Sequence, residues 1–115
     1  MRFLTLVTFF LMASWSQVQA ADALISTSWS SMNVGQIQCL KVAESVLWFN
    51  KFKNSDYGED SAWGSKGEYK AVIGCVDDKD MAFFVVVGPN GEKTRDLVNK
   101  ISANFKNELG IKDDD

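Results

Sequence analysis

Histidine is absent from the 115 residues. Without it the chain has no Ser-His or Cys-His nucleophile pair and no His-ligated zinc site. No remaining side chain has an unperturbed pKa near neutrality, so acid-base chemistry would need carboxylates, lysines or tyrosines with strongly shifted pKa values. Cysteine is scarce: Cys39 and Cys75 are the only two, far from the Cys-x-x-Cys spacing of redox-active pairs. Positive charge is in short supply as well, with 12 basic residues against 15 acidic ones. An acidic chain without a basic stripe is a poor candidate for nucleic acid or anionic lipid. No apolar run reaches the roughly 20 residues that a membrane span requires.

What is present begins with an export pattern. Arg2 gives a short positive start, Phe3 to Met12 an apolar centre, and Val18-Gln19-Ala20 places small residues where a signal peptidase reads. Residues 1–20 are therefore expected to be a cleaved signal peptide, making the protein periplasmic or secreted, with no stable membrane anchor afterwards. Ala21 rather than cysteine follows the cleavage point, so a lipid anchor is not expected. The mature chain keeps 11 of the basic residues and all 15 acidic ones, a net charge of −4.

Export places Cys39 and Cys75 where disulfides persist, and an even count in a small exported domain reads as one bridge. The two lie 36 positions apart. Closing such a loop is worth about 4 kcal/mol in lost chain entropy, a large share of a small domain's stability.

Along residues 21–109 the patterning predicts one α+β domain, followed by a disordered acidic tail at 110–115. Residues 25–33 read as a first strand. From Gln36 to Phe52, Cys39, Leu40, Ala43, Val46 and Leu47 recur at helical spacing, with Trp48 and Phe49 widening the stripe. Residues 53–67 have the composition of a loop. Tyr69, Ala71, Ile73 and Cys75 alternate with Lys70, Val72, Gly74 and Val76 in a strand, and the turn Asp77 to Asp80 leads to the continuous apolar run Met81 to Val87. Leu97, Ile101, Phe105 and Leu109 then form the clearest helical row, with Gly110 as its C-cap.

Strand, helix, strand, strand, helix predicts a small ferredoxin-like sandwich, with a three-stranded antiparallel sheet and two helices on one face. The first strand is expected on the far side of the 81–87 strand. A Cys39–Cys75 bridge makes the Tyr69-to-Cys75 face meet the first helix, since bridged Cα atoms lie within about 7 Å. Val72 and Val76 then face away, joined by an apolar row from 81–87 that is either Phe84 and Val86 or Phe83, Val85 and Val87. Such a face marks a partner, a ligand or a self-association surface, unless the 53–67 loop folds over it.

Local motifs add little. Gly88 to Thr94 resembles a phosphate loop, but Glu92 separates Gly91 from Lys93. Asp77, Asp78 and Asp80 lack the mid-loop glycine and terminal glutamate of a calcium loop. Trp63-Gly64-Ser65-Lys66-Gly67 is the best recognition candidate, an aromatic surface and a cation between permissive glycines.

These readings favour a non-enzymatic binding or protein-interaction domain, with a protein partner or homodimer, through a surface including Tyr57, Trp63, Lys66, Val72 and Val76. No cofactor or metal is expected. The competing reading is a small carboxylate-based envelope enzyme, in which Asp56, Glu59 or Asp60 converge with Lys66 or Tyr57 in the 53–67 loop.

Overall fold

The two helical rows in the sequence become the roof of one core. In a computed structural model, which describes residues 24–111, helix α1 (Gln36–Phe49) buries Cys39, Leu40, Ala43, Val46 and Leu47. Helix α2 (Gly91–Glu108) buries Leu97, Val98, Ile101 and Phe105. Both lie on one face of a single antiparallel sheet built from β1 (Leu24–Ser31), β2 (Lys53–Tyr57), β3 (Ser61–Lys66), β4 (Tyr69–Val76) and β5 (Met81–Gly88). Helix α1 covers β2, β3 and β4, and α2 covers β1 and β5. The expected signal segment 1–20, and the expected tail from residue 112 onward, lie outside the described residues. Among the described residues no helix is long and apolar enough to cross a membrane.

The sheet order is β1-β5-β4-β3-β2. Its first three strands follow the expected arrangement, with β1 beyond β5 and β4 paired to β5 on the other side. The count does not: the sheet has five strands rather than the three of the expected ferredoxin-like sandwich. The 53–67 segment, read as a loop, folds into β2 and β3 and extends the sheet past β4. Their composition hid them. An outer hairpin with one helix-covered face can be mostly Ser, Asn, Asp and Lys, because its strand state comes from backbone pairing to β4 and not from alternation of its own. A register irregularity between Lys53 and Asp56, with Asn54 at a φ of 56°, obscures the pattern further.

The disulfide ties the layers together. Cys39 on α1 is bonded to Cys75 on β4 across a Cα–Cα distance of 6.3 Å, and both cysteines are buried. Their bond makes Tyr69, Ala71, Ile73 and Cys75 the helix-facing set of β4. On β5 the helix-facing set is Ala82, Phe84 and Val86, which settles the alternative that the sequence leaves open.

Helix ends are set by identifiable groups. Helix α1 stops earlier than the apolar pattern predicts. Lys51 turns into the left-handed region at a φ of 70°, while the Lys51 and Phe52 amides donate to the Trp48 and Leu47 carbonyls. This turn carries Phe52 back into the core. Gly110 ends α2 at a φ of 69°, and the Ile111 amide donates to the Lys106 carbonyl. At the start of α2, Asn90 Oδ1 accepts from the Lys93 amide at 2.9 Å. Asn90→Ala is expected to cost about 1 kcal/mol, the usual cost of losing such a cap, measured by urea denaturation.

Candidate functional site

Strand β1 is built the wrong way round for an ordinary covered sheet. Its alternation is regular, with Ile25, Thr27 and Trp29 on one side and Ser26, Ser28 and Ser30 on the other. The serines take the helix side. Ser26 Oγ lies 2.8 Å from Thr94 Oγ1 of α2 in a hydrogen bond, and Ser28 Oγ donates to Ser102 Oγ at 3.5 Å. Ile25 and Trp29 therefore point away from the core, each 66% exposed. A one-residue slip of β1 would reverse this, but the paired hydroxyls on α2 hold the register.

The outward residues form a continuous surface across four strands. Trp29 lies opposite Phe83, which lies opposite Gly74. The glycine is needed there: a Cβ would come within 2.1 Å of the Phe83 ring, which lies flat over the β4 backbone. Thr27, Val85, Val72 and Trp63 form the adjoining cross-strand row. Ile25, Val87 and Lys70 form the next, and Ser31, Met81 and Val76 close the other end. Trp63 and Phe83 remain 42% and 38% exposed. Neither helix packs on this side.

Charge marks the two ends of the face on its β2–β4 half, and Asp56 of β2, paired with Trp63, ends the middle row at the β2 edge. Lys70, with Lys53 two strands away across Ser65, marks one end. At the other, a depression of about 680 Å³ beside Val76 and Phe83 gathers Asp60, Asp77 and Asp78. Asp77 and Asp78 adjoin Lys79 and Asp80 in the turn after β4. That turn is solvent-exposed, and among the described residues no group of three or more carboxylates or cysteines is arranged to hold a metal ion.

Of the residues singled out in the sequence, Trp63, Val72 and Val76 share this face. Tyr57 and Lys66 do not. Tyr57 packs against the core on the helix side, and Lys66 Nζ donates to the Asn50 carbonyl at the end of α1, at 3.1 Å. Asp56, the cross-strand partner of Trp63, is on the opposite side of the sheet from Lys66 and Tyr57. The Glu59 carbonyl accepts from Gln36 Nε2, and the Asp60 carbonyl from the Cys75 amide. Of the three carboxylates in the competing enzyme reading, Asp56 is thus on the other face of the sheet from Lys66 and Tyr57.

Ile25 and Trp29 also belong to the face, without standing out in the sequence, and Phe83 and Val85 come from one of the two alternate β5 sets that it offers. The signal for the first two is the Ser/apolar alternation of β1, whose outward sense follows only from the hydroxyl partners on α2. Trp48 and Phe49, expected to widen the buried stripe of α1, are instead largely exposed beside a cleft between the two helices. Comparison with protein-family models, curated proteins and solved structures finds no match, so the geometry of the face itself carries the interpretation.

Proposed function

We propose that this is an exported, non-enzymatic interaction domain that binds a protein partner through the open face of its sheet. The observation that carries the reading is the inverted polarity of β1. Serines occupy positions where aliphatic side chains would strengthen the core, while Ile25 and Trp29 stand in solvent. Leaving two such side chains exposed forgoes roughly 1.5–3 kcal/mol of burial for each, and a partner that covers them recovers it. Aromatic residues at the centre of a mostly apolar patch are the usual anchors of protein interfaces. Export is supported by the leader pattern of residues 1–20 and by the Cys39–Cys75 bridge, which suits an oxidising compartment.

A photo-crosslinking residue placed at Val72, and separately at Val85, in the exported protein tests the reading. Both positions are expected to give a discrete adduct with a protein chain, whereas Lys100, on exposed α2 surface, gives none. Absence of adducts from the two sheet positions overturns it.

A further inference from the structure

We infer that the occupant of the open face is a second copy of this chain, packed sheet to sheet about a two-fold axis that runs across the strands. The inference rests on the interaction reading above and adds the partner and its orientation.

Three features of the face support it. The first is size. Five strands at about 4.8 Å spacing, averaging about seven residues at about 3.3 Å each, present roughly 24 by 23 Å. Two copies then bury about 1,100 Å², above the roughly 1,000 Å² that a specific interface requires.

The second is shape. A two-fold axis across the strands lays each strand over its own copy and reverses the order of the cross-strand rows. The Thr27-Val85-Val72-Trp63 row then meets the partner's Trp29-Phe83-Gly74-Ser61 row. Large meets small toward both edges, Trp29 over Thr27 and Trp63 over Ser61, and at the centre the Phe83 ring, which lies over Gly74, meets the partner's Val72 and Val85. Sheets packed face to face interdigitate in this way, with strands nearly aligned.

The third is charge. Row reversal brings Lys70 of each copy to the partner's Val76 end, beside Asp77 and Asp78. The other in-plane two-fold, along the strands, would set like-charged ends together and lay the charge-free β1–β5 half on the partner's β2–β3 half. Electrostatic complementarity therefore selects the crossing axis. Lys79 offsets one of the acidic charges in that turn but leaves the end net negative.

Sedimentation equilibrium on the mature protein recovered after export tests the inference. The expected result is twice the chain mass, with Lys70→Asp and Asp77→Lys/Asp78→Lys each weakening association at least tenfold. Mixing the two variants is expected to restore it, because both inter-copy contacts in the mixed dimer again pair opposite charges. Lys70 and the two aspartates are exposed, so these variants keep the fold, which circular dichroism verifies. A monomer at all concentrations up to about 1 mM overturns the second copy, while adducts to another chain at Val72 and Val85 would leave the interaction reading standing. A dimer indifferent to the charge variants, or not restored by mixing, overturns the axis.

Discussion

Replacing Cys39 and Cys75 together by alanine is expected to lower stability by about 4 kcal/mol and to reduce the melting temperature by roughly 15–30 °C. The bridge spans 36 positions, and releasing it restores the loop entropy of that stretch to the unfolded chain. For a domain of this size each kcal/mol corresponds to about 4–8 °C. The closed loop contains most of α1, all of β2 and β3 and most of β4. Among them are β2 and β3, the elements whose own sequence specifies them least. Both cysteines are buried against the core, so truncation to alanine also removes packing. Thermal scans of the oxidised protein and the double variant, followed by far-ultraviolet circular dichroism, read the difference. A loss below about 1 kcal/mol would mean that the unfolded chain gains little freedom when the bridge is absent, contrary to the entropic account.

The parts of the fold legible in the sequence are those whose side chains repeat with the period of their element. Leu97, Ile101 and Phe105 specify α2 because they recur every fourth residue and have no competing pattern, and all three are buried. Tyr69, Ala71, Ile73 and Cys75 specify the inner side of β4, and the bridge chooses that side. The β2–β3 hairpin escaped because Tyr57, Ala62 and Trp63 are its only large or apolar members outside glycine. Pairing along Ser61 to Lys66 is a tertiary property, supplied by the β4 edge. Trp48 and Phe49 misled in the opposite sense, since apolar character next to a buried stripe does not show how far round the helix the core extends.

The candidate face was legible by subtraction. Once Cys75 faces α1, Val72 and Val76 must face away, and every residue of the neighbouring strand is apolar. What the sequence withheld was the contribution of β1, because Ile25, Thr27 and Trp29 alternate with serines equally well for either side of a sheet. The choice is made on α2, where Thr94 and Ser102 are buried and supply partners for the Ser26 and Ser28 hydroxyls. Aliphatic residues at those helix positions would favour the opposite register. The polar pairs in the core and the apolar residues on the surface are thus two aspects of one feature: slipping β1 to make the surface polar would turn apolar side chains onto the buried Thr94 and Ser102 hydroxyls and take away the Ser28 partner of Ser102.

Neighbouring phenylalanines on β5 supply the sharpest test of this facing. Phe84→Ala is expected to cost about 3–5 kcal/mol, as for other buried aromatic truncations, whereas Phe83→Ala costs about 1 kcal/mol or less in the monomer. Phe84 is fully buried and meets Phe105 edge to face, with ring centroids 5.2 Å apart and planes at 73°. Its removal opens a cavity where β5 meets α2, which the disulfide-tied layers cannot readily close. Phe83, one residue earlier, points to the open face and loses chiefly its contact over Gly74. Urea denaturation at concentrations where the chain is monomeric separates this intrinsic cost from any loss of association. Combining Phe84→Ala with Phe105→Ala should give a coupling of about 0.5–1.5 kcal/mol, the contribution of the aromatic pair beyond its buried area. Equal costs at positions 83 and 84 would show that both rings are covered in the isolated chain. The open face would then lose the exposed surface on which its binding role depends.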